Sequence, residues 1–136
     1  MDTLKITSWN VNGLRALINK SAWSWFGQSN PDVICLQEIK TRPDQLTQDQ
    51  LAILMPYHQH WNPAERPGYS GVATLTSSSA IHSTSGLGIE RFDHEGRTIR
   101  SEVDDIVLFN IYFPNGGRDL SRVPFKLDFY AALLEI

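Results

Sequence analysis

Val33-Ile34-Cys35-Leu36 is an unbroken apolar run of strand length that stops at Gln37-Glu38. A strand apolar on both faces belongs in a sheet covered on both sides, as in parallel or mixed sheets with helices packed on them. The chain therefore reads as α/β, with a carboxylate just past the end of a buried strand. Residues 4–9 alternate apolar and polar before Asn10-Val11-Asn12-Gly13, which predicts a first strand ending in a polar loop. Ala22, Trp23, Trp25 and Phe26 have helical spacing and are closed by Ser29-Asn30-Pro31, predicting a helix over 21–28. Thr47 and Gln50 have capping-box spacing, and Leu51, Leu54 and Met55 give the helix after them an apolar side that ends before Pro56. Shorter strand signals fall at 57–61, 72–76 and 81–85, and residues 99–103 and 106–112 flank Asp104-Asp105 as a hairpin would. Residues 124–136 read as a helix whose stripe of Phe125, Phe129, Leu133 and Ile136 runs to the last residue without a terminating Gly, Asn or basic cap. The unfinished stripe predicts that 1–136 is a partial domain, the front portion of something longer.

A chain of 136 residues with 41% hydrophobic content is one domain's worth, or part of one. Its formal charge of −3 excludes a global positive field, so a nucleic-acid partner must be met by a local patch. No apolar run approaches the roughly 20 residues of a membrane helix, and the first residues lack an export pattern. The lone Cys35 has no partner for an internal disulfide and sits in an apolar stretch, which suits a buried thiol rather than a nucleophile. These features predict a soluble, cytoplasmic protein with no membrane partner. His58 and His60 alternate along a strand without acidic or Cys neighbours, which favours a structural role over a metal site.

Three strand ends collect polar groups: Asn10 and Asn12; Gln37 and Glu38; Asn110, Tyr112 and Asn115. One carboxylate among amide oxygens suits Mg²⁺, which keeps several waters and takes only one or two protein carboxylates. Tyr112 adds a phenol, and Asn115-Gly116-Gly117-Arg118 adds amide donors and a guanidinium suited to phosphate. Taken singly, each is more often a loop cap or turn residue.

The combination is more specific. Residues 8–16 (SWNVNGLRA), 31–40 (PDVICLQEIK), 68–73 (GYSGVA), 95–97 (EGR) and 110–118 (NIYFPNGGR) resemble, in order, the motifs of the exodeoxyribonuclease III type of AP endonuclease. That resemblance implies the endonuclease/exonuclease/phosphatase fold, a four-layer sandwich of two β-sheets flanked by helices. This chain would supply its front half, a mixed sheet with helices, the second sheet being missing. It further implies Mg²⁺-dependent cleavage of DNA in base-excision repair, with Mn²⁺ as a substitute ion and duplexes bearing abasic sites or blocked 3′ ends as substrates. By position, Asn10 and Glu38 would sit at the metal, Glu38 as the direct ligand, and Asn12 stands where some relatives have Asp. Tyr112 would act catalytically on the attacked phosphate. Tyr69, Asn115, Arg118 and Arg122 would hold the DNA backbone, with Lys40, Arg97 and Arg100 extending the basic patch unless Arg97 and Arg100 lie on a solvated strand face.

The family's chains run to about twice this length, and their Gly-Asp-x-Asn and Ser-Asp-His motifs have no counterpart here. The general base is therefore expected from a complementing C-terminal half, and this chain alone is expected to be inactive and loosely folded. Two alternatives remain: a non-catalytic DNA-binding fragment, and a phosphatase or phosphodiesterase of the same fold.

Overall fold

The structure, a computed structural model, describes residues 3–20 and 23–136, and of residues 25–27 the backbone alone. The elements run β1 (Ile6–Asn10), α1 (Leu14–Ile18), α2 (Ser24–Ser29), β2 (Val33–Gln37), α3 (Gln48–Leu54), β3 (His58–Asn62), β4 (Val72–Thr76), β5 (His82–Ser85), α4 (Glu90–Asp93), β6 (Thr98–Val103), β7 (Ile106–Ile111) and α5 (Val123–Leu134). The helix expected over 21–28 is met by α2; Ser21 and Ala22, and the side chains of Trp25 and Phe26, lie outside the described residues.

The first sheet has the order β1-β2-β4-β3, with β1 parallel to β2 and the other pairs antiparallel, so it is mixed as expected. Its central strand β2 explains the unbroken apolar run. Ile34 and Leu36 face the helices with Leu14, Leu17, Trp23 and Leu54, while Val33 and Cys35 face the other way, toward Val103 and Leu108. The capping box forms as the spacing predicts: Thr47 Oγ1 accepts from Gln50 N at 3.1 Å and Gln50 Oε1 accepts from Thr47 N at 2.9 Å.

A second sheet, β5-β6-β7, is antiparallel throughout. Here the expectation of a missing second sheet is refined: three of its strands are present, built from the short segments and the Asp104-Asp105 hairpin. Between the sheets lies Asn110, 2% exposed. Its amide nitrogen donates to Ala73 O at 2.9 Å, Thr74 Oγ1 at 3.1 Å and Leu36 O at 3.4 Å, and its oxygen accepts from Gln37 Nε2 at 2.8 Å. The side chain read as a ligand candidate at a strand end thus joins β7 to β2 and β4. The helical end is tied down by aromatics, with Phe92 edge-on to Phe125 and Phe129 at 5.3 and 5.4 Å between ring centroids. Edge strands β1 and β7 leave Ile6, Ile106 and Val107 exposed.

Candidate functional site

The loop after β2 carries Glu38 on an unusual backbone. Asn12, Glu38, Lys40 and Ser70 all have positive φ, at 46°, 56°, 57° and 51°. Such conformations cost about 1–3 kcal/mol each and persist only where the surroundings over-determine them. Here hydrogen bonds lace the loop on both sides: Val11 N to Gln37 O, Gly13 N to Glu38 O and Leu14 N to Ile39 O on one, Ile39 N to Gly71 O and Lys40 N to Ser70 O on the other. The carboxylate is thereby aimed out of a rigid strand end.

Around that carboxylate the structure gathers four side chains. Asn10 Nδ2 donates to Glu38 Oε1 at 3.2 Å, and Asn10 Oδ1 accepts from Asn12 N at 3.0 Å. The Lys40 ammonium lies 3.2 Å from Glu38 Oε2 and donates to Asn12 Oδ1 at 2.7 Å. From the second sheet, the Tyr112 phenol stands near Glu38, close enough to feel its charge. Burial foremost, then the Glu38 charge and hydrogen bond, raise the Tyr112 pKa, with the Arg97 charge opposing. The phenol is therefore held neutral and able to donate.

Glu38 Oε2 and Asn12 Oδ1 present hard oxygens with a cation, the Lys40 ammonium, already between them, while Asn10 turns its amide nitrogen to the carboxylate and its oxygen to Asn12 N. Among the described residues no three His, Cys, Asp or Glu side chains cluster in a way that could hold a metal. One carboxylate with amides fits an ion that completes its shell with water and substrate oxygens, and not one that demands a protein cage.

Beside this centre lies a cleft of about 370 Å³ lined by Ala64, Arg66, Tyr69, His94, Glu95, Arg97, Asn115 and Arg122. Its floor is an ion cluster. Glu95 accepts from Arg97 Nε at 2.7 Å and from Arg122 Nη2 at 2.6 Å. Arg97 also donates to Tyr69 Oη at 2.8 Å and Tyr112 O at 3.1 Å, and its guanidinium sits 5.1 Å from the Tyr112 ring centroid. Gly96, with φ 60°, lets the Glu95–Arg97 turn press on residues 62–64, where an added Cβ would lie 2.5 Å from backbone atoms.

Of the residues expected at the site, the structure thus brings together Asn10, Glu38 and Tyr112 in one centre and Tyr69, Asn115 and Arg122 in the adjoining cleft. Arg118 is exposed on the loop after β7, outside the cleft lining. There Asn115 Oδ1 accepts from Gly117 N at 2.9 Å and shapes the turn. Arg97 corrects the solvated-strand alternative: it is 3% exposed and lies at the floor of the cleft, where it shares Glu95 with Arg122. Its signal was Glu95 two residues away across a glycine, ahead of the apolar Ile99. Arg100 pairs with Glu102 at 2.7 Å, and Lys40 faces Glu38 instead of solvent phosphate. Of the two histidines, His60 takes a structural role, its Nε2 pairing with Ser85 Oγ at 2.9 Å, and burial, then the nearby His82 charge, lowers its pKa; His58 is exposed.

Residues 7–136 match the Endonuclease/Exonuclease/phosphatase family. The chain is 40% identical over 135 residues to the DNA repair nuclease APEX1 of Danio rerio, covering 96% of this chain and 44% of that relative. It is 37% identical over 134 residues to an exodeoxyribonuclease of Bacillus subtilis, covering 96% of this chain and 51% of that one. Among solved structures it is similar to the AP endonuclease LMAP from Leishmania major, with TM-score 0.80 and 29% identity over 97% of this chain and 47% of that chain. The chain thus spans about half the length of the relatives it matches. Its fold, its ordered motifs and these likenesses agree: the chain belongs to the Endonuclease/Exonuclease/phosphatase family.

Proposed function

We propose that this chain carries the ion-holding and DNA-gripping part of a magnesium-dependent phosphodiester hydrolase of base-excision repair, acting on duplexes with abasic sites or blocked 3′ ends. One observation carries the reading: the Glu38 carboxylate and the Tyr112 hydroxyl, brought from different sheets, meet beside an arginine-lined cleft. Curated relatives named as a DNA repair nuclease and an exodeoxyribonuclease support it.

A bound Mg²⁺ would supply Lewis-acid polarisation of a phosphoryl oxygen, with Mn²⁺ able to replace it. Glu38 and Asn10 would hold it, Lys40 turning away from the carboxylate. Tyr112, kept neutral, donates its hydroxyl hydrogen to the phosphoryl oxygen on which charge builds during attack. Arg122, Asn115 and Tyr69 hold the flanking backbone, and Arg118, on its exposed loop, reaches along the duplex. The acids beyond Tyr112 are engaged elsewhere or exposed: Asp119 accepts from Ser121 N, Asp128 pairs with Arg91, and Glu135 faces solvent. On this reading the general base would come from a complementing C-terminal half. The buried free thiol of Cys35 suits a reducing, cytoplasmic setting.

The test is nicking of a duplex carrying a tetrahydrofuran abasic analogue by the chain joined to the second half of the Bacillus relative. Mg²⁺-dependent cleavage that Glu38→Ala abolishes while DNA binding persists supports the reading. Cleavage indifferent to Glu38→Ala overturns the ion assignment. Preference for a phosphoinositide over abasic DNA moves the chain to the phosphatase branch, and binding without any cleavage leaves a DNA-binding fragment.

A further inference from the structure

The cleft holds three guanidiniums and one carboxylate, but they are not equivalent. Arg97 and Arg122 share Glu95, so their charge is partly neutralised at the floor. Arg66 is exposed, lines the same cleft and has no carboxylate partner among the described residues. It is nonetheless not adrift. Its guanidinium carbon lies 5.0 Å from the Tyr69 ring centroid, a stacking distance that holds the planar head over the ring. The Tyr69 hydroxyl is in turn fixed by Arg97 at 2.8 Å. The backbone beneath is pinned as well, Glu65 N donating to His94 O at 2.9 Å. A charged fork, unneutralised and pre-set at the mouth of a basic cleft, loses little freedom when an anion arrives.

We infer that Arg66, stacked on Tyr69, is a further contact to a backbone phosphate of the DNA, and the main uncompensated charge that draws the strand into this cleft. The inference rests on the proposed DNA-binding function and adds a residue to it. Glu95 divides the labour: it converts Arg97 and Arg122 into fixed donors and leaves the electrostatic pull to Arg66. A phosphate contact made by a guanidinium has a distinctive signature, because each neutralised phosphate adds about 0.9 to the slope of log affinity against log salt.

The experiment is fluorescence anisotropy of a labelled abasic-analogue duplex titrated with the protein across a range of salt, in EDTA so that no turnover intervenes. Arg66→Ala is expected to weaken binding about tenfold at low salt and to flatten the slope by about 0.9. Arg66→Lys is expected to keep the slope but lose about threefold in affinity, since an ammonium keeps the charge without the planar fork. Arg91→Ala, an exposed arginine already paired with Asp128, is the control and leaves both quantities unchanged. Circular dichroism of Arg66→Ala checks that the exposed substitution leaves the fold intact. Binding and slope unchanged in Arg66→Ala while Arg122→Ala weakens binding overturn the role of Arg66 and leave the DNA-binding reading standing. Absence of salt-dependent binding by the unaltered protein overturns both. Displacement of the duplex by inorganic phosphate at matched ionic strength would show a free-phosphate site instead of a strand contact, and overturns the inference too.

Discussion

Replacing Glu95 by Ala removes the one carboxylate on which two guanidiniums converge. The side chains of Glu95 and Arg97 are 9% and 4% exposed, so this is a buried pair, and the loss strands a charge more than it removes an attraction. Breaking such a pair from one side costs about 3–5 kcal/mol. Arg97 keeps its bonds to Tyr112 O and Tyr69 Oη, which places its share near the low end, about 3 kcal/mol. Arg122 is 39% exposed and solvent replaces much of what it loses, so its share is under about 1 kcal/mol. The expected destabilisation is thus about 3–4 kcal/mol, a large part of the roughly 5–15 kcal/mol that holds a domain together. Urea unfolding followed by far-ultraviolet circular dichroism measures it as a shifted midpoint at constant slope. Adding Arg97→Met to Glu95→Ala removes the stranded charge and should recover about 1–2 kcal/mol. A midpoint shift of Glu95→Ala worth under about 1 kcal/mol, or a double variant as damaged as the sum of its parts, would refute the buried-pair argument.

Two further outcomes follow from the titrating groups. Burial raises the Cys35 thiol from 9.0 to about 11, so the folded state binds its proton more tightly than the unfolded chain does. The stability this supplies is complete below pH 9.0 and is lost as pH rises toward about 11, with a ceiling of about 3 kcal/mol; Cys35→Ala should flatten that part of a stability-versus-pH curve relative to the unaltered chain. Tyr112→Phe should lower turnover of the completed enzyme by about 10²–10³ with little change in DNA affinity, read as single-turnover rate against anisotropy; an affinity loss matching the rate loss would make Tyr112 a binding residue instead.

Local signals reported local structure faithfully. The two-faced apolar run became the central strand β2 because helices cover one side and the second sheet the other, and the Thr47–Gln50 spacing became a capping box because those bonds close within one turn. The hairpin at Asp104-Asp105 formed where its flanking strand signals predicted, Asp104 taking the left-handed conformation its short polar side chain tolerates. Illegible were the features that depend on what lies opposite. α4 is a single turn organised from inside by Asp93, whose carboxylate accepts from the backbone of Leu87, Gly88 and Ile89, so no cap precedes it. Arg97 looked like surface because arginine usually is, and only the convergence of Glu95, Tyr69 and Tyr112 makes its burial affordable. The residues of the centre were marked by motif, yet Glu38 and Tyr112 come to it from two different sheets, a closeness that spacing along the chain does not encode.

That span makes the amide of Asn110 a gauge block. Glu38 hangs from one sheet and Tyr112 from the other, and Asn110, two positions upstream of the phenol, directs its side-chain hydrogen bonds to the opposite layer. Sliding the layers by one residue would break the bonds that amide makes to Leu36, Ala73, Thr74 and Gln37. The separation between acid and phenol is therefore machined by a side chain that never meets a substrate, and tolerance at the reacting centre is set some way behind it.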